Sequence, residues 1–368
     1  MLSPPKYSLT TITQTPLIEE SKLRTILKDI YGISDCTIHK LTGYDDLNFK
    51  IENVSFNSNA NIKLIKKNET TFIVKFTNPL EASNPLLLDG QTKLTEHLRT
   101  KGIPCAETLP TIDGSLWKIV NMTDEVAAPI RLFQFLPGLM LEKIGYSDTV
   151  YSLMGGLVAD FHNATSDFSH PAYENGWCHF MCNEDWDTLE EELHHQIKEK
   201  VLTDKLQIDL CQKGFDDFRN DVISQRETLK IGFIHSDVNE TNVLLQKISD
   251  GKYEITGLLD FGDTHKSYLI CDISALILYL AVDANEDNWR IIAKSVLKGY
   301  CEKRKPEDLE HILVSMRARL VSSLVYALRT IRINYRNEDP TYILKMQANG
   351  WRVLDLLTKE YDSNQRSI

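Results

Sequence analysis

Two polar motifs joined by a predicted hairpin constrain this chain more than any other feature of its sequence. Residues 235–242 have the pattern H-x-D-x-x-x-x-N, and residues 260–262 read D-F-G. Two apolar-rich runs lie between the motifs and flank an Asp-Gly pair at positions 250–251. Such a pair favours a two-residue turn, because glycine tolerates the positive φ that the turn requires. Counting outward from this turn predicts that Asn242 pairs with Leu259.

The predicted hairpin brings oxygen ligands together at one end of a sheet. Directly paired Cα atoms lie roughly 4.5–5.5 Å apart, so the Asn242 amide and the Asp260 carboxylate are expected beside one another. Oxygen ligands with room left for phosphate suit Mg²⁺, which retains waters and substrate oxygens in its coordination shell. Asp237 lies on the loop that enters the hairpin, where its carboxylate can accept a proton from an attacking hydroxyl.

A structural role is the common explanation for each motif taken alone. A single Asp near an Asn usually forms an Asx-turn or caps a helix. Both motifs in this order, joined by a hairpin in this register, instead favour a site for phosphoryl transfer from a nucleoside triphosphate. We call residues 235–242 the catalytic loop. The candidates are Asp237 and His235 for catalysis and Asn242 and Asp260 for a metal ion.

The composition is that of an ordinary globular protein. The chain has 368 residues, of which 42% are hydrophobic and 25% charged, and this length favours two domains. A net charge of −11 argues against nucleic acid and anionic membranes as partners. We expect no apolar run to span a bilayer and find no secretory-signal pattern in residues 1–15. A cytoplasmic location is therefore expected.

The cysteines are predicted to be reduced thiols. The chain has seven, scattered along the sequence, and this odd number does not fit a disulfide framework. One cluster, at residues 178–182, lacks a second ligand pair at zinc spacing, so packing is the favoured interpretation.

Residues 1–133 are predicted to form a nucleotide-binding lobe with a small antiparallel sheet. A helix is predicted over residues 19–31, and the alternation over residues 47–51 is typical of a half-buried strand. The turn and the start of this strand contain Gly43 and Asn48, our candidates for nucleotide contacts. A turn of this kind can place backbone N–H groups over a phosphate, although most such turns are structural.

Lys75 lies in a second predicted strand, residues 71–76. A lysine in a strand is usually solvated, but the position of Lys75 along the chain suits contact with the α- and β-phosphates of a nucleotide. Lys66 and Lys67 are the alternatives, in a hairpin that we predict to be exposed. The next predicted helix covers residues 86–100. Three side chains of this helix could orient Lys75, and periodicity does not select one of them: Asp89, Gln91 and Glu96.

Residues 134–138 are predicted to be the hinge between two lobes, because a Pro-Gly pair ends a strand there. Within the hinge, Gln134 and Leu136 are candidates for contact with the nucleotide base. Residues 139–368 are predicted to form a mainly helical lobe with the catalytic and metal loops and the substrate pocket. The helices predicted in this lobe cover residues 150–164, 186–200, 270–282, 311–334 and 340–361.

Some residues of these helices carry specific expectations. Gly156 and Ala159 are expected to allow close packing against another helix. Asp272, near the start of its helix, is expected to act as a cap or a brace. Arginines that share one helical face are more often a solvated stripe than a binding site: Arg329, Arg332 and Arg336.

Together these features resemble the aminoglycoside phosphotransferase/choline kinase superfamily, whose members phosphorylate small molecules. The resemblance extends over about residues 41–325 and rests on Lys75, the hinge and the two polar motifs. Within the superfamily, four less specific stretches are most similar to kinases of 5-hydroxy-L-lysine: residues 84–85, 102–104, 260–263 and 318–325. The resemblance implies an α+β, bilobal protein-kinase-like fold with a small antiparallel-sheet N-terminal lobe and a mainly helical C-terminal lobe.

The resemblance also implies a role for each candidate. Asp237 would act as the base, His235 would support the catalytic loop, and the metal candidates would hold Mg²⁺. Lys75 would neutralise the α- and β-phosphates of GTP, which would be preferred to ATP. The chain departs from the superfamily at Ser236, where glycine is common.

Substrate recognition is less constrained by the sequence. A hydroxylated amino acid needs acidic partners for its ammonium groups and an arginine for its carboxylate, which a planar guanidinium binds bidentately. Asp263 is our candidate acid and Arg319 our candidate arginine. Choline, ethanolamine, an aminoglycoside or homoserine are the alternative acceptors. A nucleotide-binding pseudokinase scaffold is a further alternative, but it would not need the proton acceptor Asp237.

Overall fold

The computed structural model describes residues 15–365 except 83, 124–125, 175–182, 335–340 and 342–343. The chain divides into two compact units. The sheet unit falls within Thr11–Glu96 and Cys105–Leu136, and the helical unit within His97–Pro104 and Pro137–Ile368. Residues 97–104, which the sequence assigned to the first lobe, therefore group with the helical unit.

An antiparallel sheet organises the sheet unit. Its strands are β1 (Ile33–Leu41), β2 (Leu47–Phe56), β3 (Phe72–Phe76), β4 (Thr108–Leu109), β5 (Lys118–Asn121) and β6 (Ala127–Gln134). They pair in the order β1, β2, β3, β6, β4, and β5 also pairs with β6. The helices of this part of the chain are α1 (Glu20–Tyr31), α2 (Ile62–Lys67), α3 (Pro79–Ala82) and α4 (Pro85–Thr100).

Apolar periodicity explains why the first helix and the central strands form. The apolar stripe of α1 is buried, and the helix ends at Gly32, whose φ of 72° is the left-handed conformation common after a helix. Phe49 and Phe76 pack edge to face with ring centroids 6.3 Å apart. Every second residue is buried in the first half of β2 and along β3: Leu47, Phe49, Ile51, Phe72, Val74 and Phe76. These elements confirm the sequence predictions.

The segment with Lys66 and Lys67 forms a helix, so the prediction of a hairpin was wrong. Asn61 caps α2 by accepting a hydrogen bond from the Lys63 backbone N–H. Asn68 ends the helix with a left-handed φ of 54°. Both ends of the helix favour asparagine: its short amide accepts hydrogen bonds from free N–H groups at the start, and its backbone tolerates the positive φ at the end.

The helical unit combines short strand pairs with long helices. Its helices are α5 (Leu141–Ile144), α6 (Asp148–Ala164), α7 (Asn183–Lys198), α8 (Lys205–Asp221), α9 (Leu269–Asp283), α10 (Trp289–Cys301), α11 (Ile312–Asn334) and α12 (Gln347–Gln365). Its strands are β7 (Leu139–Met140), β8 (Ile231–Ile234), β9 (Val243–Ser249), β10 (Lys252–Leu258) and β11 (His265–Tyr268). β9 pairs with β10 and β7, and β11 pairs with β8. The predicted helices are present with shifted ends, whereas α5, α8 and α10 were not predicted.

Two helices of this unit are deeply buried. Every residue of α9 from Leu269 to Val282 is buried, as its apolar composition predicts. Within the described residues, the stretch Leu309–Arg332, which includes most of α11, is alone long and apolar enough to cross a membrane, but 89% of its most apolar part is buried. Such burial is typical of a core helix. The antiparallel sheet followed by a helical region confirms the predicted α+β fold class.

Glycine allows α6 and α10 to pack closely. A Cβ atom at Gly155 would overlap the Val296 carbonyl oxygen, and a Cβ atom at Gly299 would overlap the backbone of α6. Gly156 was also expected to allow close packing, and a Cβ atom there would lie 3.5 Å from the Gly299 carbonyl oxygen and 3.3 Å from the flexible end of Lys303. These are contacts without backbone overlap, so the closest approach depends on Gly155 and Gly299.

Gly155→Ala should destabilise the protein by about 1–3 kcal/mol, the usual cost of overpacking, because α6 and α10 must separate. Gly156→Ala is the matched control on the same helix. It should gain up to about 1 kcal/mol of helix propensity without overlapping a backbone atom. Urea unfolding of both variants measures the difference in the free energy of unfolding, and equal effects would contradict this packing.

Candidate active site

The hairpin of β9 and β10 has the predicted register at both ends. Its turn contains Gly251 with a φ of 70°, and Leu258 pairs with Val243 at the other end. Beyond the strands, the Leu259 N–H donates to the Asn242 carbonyl oxygen at 2.8 Å, which confirms the predicted pairing. Two irregularities interrupt the register between these ends, and they cancel, so both ends remain aligned.

The Asn242 side chain is fixed by the residues of the catalytic loop. Its Nδ2 donates to the Asp237 carbonyl oxygen at 3.0 Å and to Asp237 Oδ2 at 2.8 Å. Asn239 Oδ1 accepts the backbone N–H of Asn242 at 3.0 Å. Because both hydrogens of Nδ2 have acceptors, Oδ1 is the atom of this amide that can bind a cation. One amide thus joins the candidate base to the candidate metal site.

Asp260 lies two residues after the end of β10, next to Leu259, which pairs with Asn242. Its φ of 58° is a left-handed conformation, which is costly for a residue with a Cβ atom and is concentrated at functional sites. In the described parts of the chain, no group of three or more His, Cys, Asp or Glu side chains forms a metal site. One amide oxygen and one carboxylate fit a cation such as Mg²⁺, which takes its other ligands from water and phosphate.

Asp272, in the first turn of α9, holds the backbone of the catalytic loop. Its Oδ2 accepts the His235 N–H at 2.9 Å, and its Oδ1 accepts the Ser236 N–H at 2.8 Å. His162 Nε2 also donates to Oδ2 at 3.1 Å, and His162 Nδ1 lies 2.9 Å from the Tyr300 hydroxyl. Burial opposes ionisation, but the hydrogen bonds from His162 and the backbone lower the pKa of Asp272. The predicted brace is confirmed.

Ser236 introduces strain into the loop that Asp272 holds. Its φ of 72° is left-handed, a conformation that favours glycine because a Cβ atom crowds the following carbonyl oxygen. This conformation explains why glycine suits the position in the superfamily. In this chain, the hydrogen bond from the Ser236 N–H to Asp272 helps to maintain it.

The His235 ring links the catalytic loop to the hairpin. Its Nδ1 accepts the Asp237 N–H at 3.3 Å, and its Nε2 lies 3.0 Å from the Leu259 carbonyl oxygen. Because an amide N–H only donates and a carbonyl only accepts, the ring is the neutral tautomer with its proton on Nε2. Phe161 and Phe261 pack edge-on against the ring, with centroids 5.9 and 5.1 Å away. His235 thus holds the Asp237 backbone against the hairpin.

The Asp237 carboxylate has a hydrogen-bond donor on each oxygen. Arg319 Nη2 donates to Oδ1 at 3.0 Å, and Asn242 Nδ2 donates to Oδ2 at 2.8 Å. The side chain is 27% exposed, and each carboxylate oxygen has two lone pairs, so a substrate hydroxyl can also bind. Burial raises the pKa of the Asp237 carboxyl, although the Arg319 guanidinium opposes the shift.

Arg319, our candidate for a substrate carboxylate, lies against Asp237. Its guanidinium is buried, and Nε donates to the Tyr279 hydroxyl at 2.6 Å. Burial lowers the pKa of Arg319, but the neighbouring Tyr279, Asp237 and Asp263 more than offset this effect and raise it. Asp263, our candidate for a substrate ammonium, is half-buried and close enough to interact with Arg319.

Candidate nucleotide residues of the sheet unit lie together around Asp46. Lys75 Nζ is 2.6 Å from Asp46 Oδ2, and Asn48 is paired with Lys75 across β2 and β3. A Cβ atom at Gly43 would overlap the Asp46 carbonyl oxygen, so glycine is needed for this tight turn. Asp46 was not predicted from the sequence, although its place in the same turn as Gly43 could have indicated it.

Two of the helix residues considered as partners of Lys75 have other contacts. Gln91 Oε1 accepts from Arg131 Nη1 at 2.8 Å, and Gln91 Nε2 donates to Glu81 at 3.3 Å. Glu96 accepts from Lys93 on the same helix at 3.0 Å. Gln91 therefore joins α4 to β6 and α3.

The candidates for contact with the nucleotide base lie at the end of the sheet unit. The Gln134 side chain donates to Glu69 Oε1 at 3.0 Å, and the Gln134 N–H donates to the Glu107 carbonyl oxygen at 2.9 Å. Leu136 is half-buried and is the last residue of the unit. Their contact with a nucleotide stays a prediction.

A buried pair of acids beside Asp237 was missed by the sequence analysis. Lys345 Nζ lies 2.8 Å from Glu240 and 3.7 Å from Asp283. Burial raises the pKa of Asp283 to about 8, and the hydrogen bond and charge of Glu240 add to the shift. Glu240 is also buried, but its hydrogen bonds with Asp283 and Lys345 lower its pKa. The two carboxyl groups thus share one proton near neutral pH.

Asp283→Asn should remove a pH dependence of stability. The folded-state pKa of Asp283 is about 8, whereas the unfolded value is about 3.9. Its contribution to stability is therefore complete below a pH of about 3.9 and is lost as the pH rises through about 8. Asparagine stays neutral, so the stability of the variant relative to the wild type should rise between about pH 4 and pH 8 and level off above pH 8. Thermal unfolding measures this gain, and a pH-independent difference would contradict the shared proton.

The predicted arginine stripe is not solvated where the structure describes it. Arg329 is buried over the Tyr326 ring, 5.7 Å from its centroid. Arg332 Nη2 bonds Glu192 Oε2 at 2.5 Å. The prediction was wrong for these two residues, because α11 is covered on that face. Arg336 and the cysteine cluster at residues 178–182 lie outside the described residues.

Comparisons with known proteins agree with this site. The model of the phosphotransferase enzyme family (APH) matches residues 51–308. Hydroxylysine kinase from Xenopus laevis is 25% identical over 364 residues, which cover 93% of this chain and 90% of that protein. The solved structure of amicoumacin kinase hAmiN in complex with AMP-PNP, Ca2+ and Ami has a TM-score of 0.65 at 17% identity, covering 92% of this chain and 93% of that chain. A microcompartment-associated aminopropanol kinase has a TM-score of 0.63 at 14% identity, covering 93% and 98%.

The family match includes the candidate metal ligands, Asn242 and Asp260, and the candidate base, Asp237. At such low identity, the two structural similarities establish the protein-kinase-like fold alone. The family match extends over more than half of the chain and contains the catalytic loop, the hairpin and the D-F-G motif. The chain therefore belongs to the phosphotransferase enzyme family and is a small-molecule kinase with an alcohol group as acceptor.

Proposed function

We propose that this kinase transfers the γ-phosphoryl group of a nucleoside triphosphate to the hydroxyl group of 5-hydroxy-L-lysine. The hydrogen bond from Asn242 to Asp237 is the observation that carries the chemistry, because it joins a base to a cation ligand. Similarity to the Xenopus laevis hydroxylysine kinase over 93% of the chain supports the acceptor.

Asp237 would bind and deprotonate the acceptor hydroxyl. Its carboxylate would accept a hydrogen bond from the hydroxyl and then its proton, as the new oxygen–phosphorus bond forms. The bond from the γ-phosphorus to the bridging oxygen breaks, and the nucleoside diphosphate leaves. Because the transition state is loose, positioning and charge neutralisation supply most of the catalysis. Arg319 and Asn242 would maintain the orientation of the carboxylate through this step.

Asn242 Oδ1 and the Asp260 carboxylate would hold Mg²⁺ together with the phosphates. Bound there, Mg²⁺ would neutralise charge on the phosphate oxygens. The amicoumacin kinase complex with AMP-PNP and Ca2+ supports the use of a divalent cation. Lys75, held by Asp46, would contact the α- and β-phosphates. The remaining nucleotide contacts would come from Gly43, Asn48, Gln134 and Leu136.

The charge of the chain is compatible with a cationic acceptor. Asp263, whose charge interacts with Arg319, the partner of Asp237, would bind an ammonium group of the substrate. The net charge of −11 disfavours nucleic acid and anionic membranes as partners, and we propose a cytoplasmic location. The preference for GTP over ATP follows from the resemblance to hydroxylysine kinases.

A nucleoside-diphosphate release assay with Mg²⁺ tests this proposal. GTP and ATP are each combined with 5-hydroxy-L-lysine, choline, ethanolamine, homoserine and kanamycin. L-lysine is the matched control, because it has the same charges without the acceptor hydroxyl. We expect release with 5-hydroxy-L-lysine, faster with GTP, and none with L-lysine. Release with a different acceptor alone would overturn the substrate, and nucleotide binding without any release would favour a scaffold.

A further inference from the structure

A buried guanidinium holds the catalytic aspartate from the side opposite to Asn242. Arg319, on α11, donates from Nη2 to Asp237 Oδ1 at 3.0 Å. Asn242 Nδ2 donates to the other oxygen at 2.8 Å. With one donor on each oxygen, the carboxylate cannot rotate without losing a hydrogen bond. The direction in which its remaining lone pairs meet an acceptor hydroxyl is therefore set by two side chains.

The Arg319 guanidinium is itself fixed by Tyr279 on α9. Nε donates to the Tyr279 hydroxyl at 2.6 Å, and the guanidinium carbon lies 5.4 Å from the centroid of the Tyr279 ring. The tyrosine hydroxyl also lies 3.1 Å from Ser323 Oγ. Since the hydroxyl accepts from Nε, its own proton is available for Ser323. The chain of contacts runs from Ser323 through Tyr279 and Arg319 to Asp237.

This arrangement uses the edge of the guanidinium that binds carboxylates side-on. Nε and Nη2 form that edge, and a bidentate carboxylate needs both of its donors. In this structure one donor binds Tyr279 and the other binds Asp237. The side-on edge is thus occupied by residues of the protein, which contradicts a bidentate contact of this edge with the acceptor carboxylate.

We infer that Arg319 is a positioning residue for Asp237, held in place by Tyr279, and that it does not bind the acceptor carboxylate. The inference rests on the proposed role of Asp237 as the base. Loss of Arg319 leaves Asp237 with a single donor and free to rotate. A misplacement of about 1 Å at a reacting group can cost roughly 100-fold in rate, so the effect should appear in kcat.

Arg317 provides a matched control two positions away on the same helix. It is fully buried, and its Nη1 bonds Asp217 Oδ2 at 2.6 Å. Its Nε donates to Thr358 at 3.1 Å, and its guanidinium carbon lies 4.5 Å from the Tyr361 ring centroid. Arg317 therefore has the same kinds of contact as Arg319, an ion pair and an aromatic ring, without touching Asp237.

The test measures kcat and both KM values for Arg319→Met, Arg319→Lys, Tyr279→Phe and Arg317→Met. Arg319→Met should lower kcat by roughly 10–100-fold, while KM for the nucleotide and the acceptor changes by less than about threefold. Lysine can donate to Asp237 but cannot also reach Tyr279, so Arg319→Lys should recover part of kcat. Arg317→Met should lower the unfolding midpoint and leave kcat near the wild-type value.

A double variant separates positioning from a general loss of structure. Tyr279→Phe retains the ion pair and should lower kcat by about 3–10-fold. Combined with Arg319→Met it should lower kcat no further, because both residues act through Asp237. Tyr279→Phe keeps the inference testable if Arg319→Met does not fold.

Three results would overturn the inference. A KM for the acceptor raised more than about tenfold at unchanged kcat would make Arg319 a substrate ligand. Equal losses of kcat in Arg319→Met and Arg317→Met would reduce its role to folding, and additive effects of the Tyr279 and Arg319 substitutions would remove the coupling. A wild-type protein that turns over none of the acceptors would instead contradict the proposed function, and with it this inference.

Discussion

Alanine at position 237 should lower turnover by roughly 10²–10⁴-fold, the range typical of a lost general base. The Asp237 carboxylate is the acceptor for donors from Arg319 and Asn242, and its remaining lone pairs are the ones proposed to bind the substrate hydroxyl. Alanine removes the proposed proton acceptor, whereas both proposed metal ligands, Asn242 and Asp260, are retained and Asn242 Nδ2 keeps its hydrogen bond to the carbonyl oxygen of residue 237. Steady-state kinetics with saturating nucleotide and acceptor measures the loss.

The control for this variant is a second aspartate in an ion pair with a buried arginine. Asp217 bonds Arg317 at 2.6 Å and has no part in the proposed chemistry. Asp217→Ala should therefore lower stability without a comparable fall in turnover of the folded protein. Nucleotide binding, measured by calorimetry with Mg²⁺, should persist in Asp237→Ala. Near-normal turnover in Asp237→Ala would remove Asp237 as the base.

Alanine at position 272 should cost about 3–5 kcal/mol of unfolding free energy, as expected for breaking a buried charged network. Asp272 is fully buried and accepts hydrogen bonds from the His235 N–H, the Ser236 N–H and His162. Each buried donor left without an acceptor costs about 1–3 kcal/mol. The loss should also relax the left-handed backbone of Ser236, so turnover should fall with stability.

The pH dependence distinguishes this network from simple packing. The folded-state pKa of Asp272 is lowered, so its contribution to stability is complete above the unfolded value of about 3.9 and is lost as the pH falls through the folded value. The stability gap between the wild type and Asp272→Ala should therefore narrow on acidification. Urea unfolding over a range of pH measures it.

Asp160 supplies a control on the protein surface for Asp272. It forms an ion pair with Lys303 and is 39% exposed. Asp160→Ala should change the unfolding free energy by no more than about 1 kcal/mol, the usual limit for an exposed pair. A loss at Asp272→Ala as small as this would show that the catalytic loop is held by other contacts.

The parts of the site that follow from local sequence were predictable. The Asp-Gly turn determines the register of the hairpin, and the register places Asn242 beside Leu259 and thus near Asp260. Alternation of apolar residues defines β2 and β3 and, with them, the position of Lys75. In each case the information lies within one or two consecutive elements, where periodicity and turn chemistry are decisive.

The contacts that orient these groups join residues far apart in the chain, and periodicity does not reveal them. Asp46 binds Lys75 from a turn whose length depends on Gly43. The side chain of Arg319 reaches Asp237 because α9 and α11 pack together and Tyr279 occupies Nε. The sequence predicted a functional role for Arg319 but could not determine which carboxylate it meets.

The secondary structure that was missed has a similar cause. α2 was read as a hairpin because its charged residues suggested an exposed turn, whereas the asparagine caps at Asn61 and Asn68 define a helix. α10 packs against α6 through Gly155 and Gly299, and this helix–helix contact has no counterpart in the local sequence pattern. A helix cap or a small residue therefore indicates an element or a helix–helix contact only when the element that packs against it is known.

Phosphorus NMR of the reaction products tests the central claim most directly. Purified protein is incubated with GTP, Mg²⁺ and 5-hydroxy-L-lysine, and the spectrum is recorded beside samples with Asp237→Ala and with L-lysine in place of the acceptor. We expect a phosphomonoester resonance with the wild type and 5-hydroxy-L-lysine, and its absence from both controls. Inorganic phosphate without a phosphomonoester, or an undiminished phosphomonoester in Asp237→Ala, would contradict phosphoryl transfer to the hydroxyl by this site.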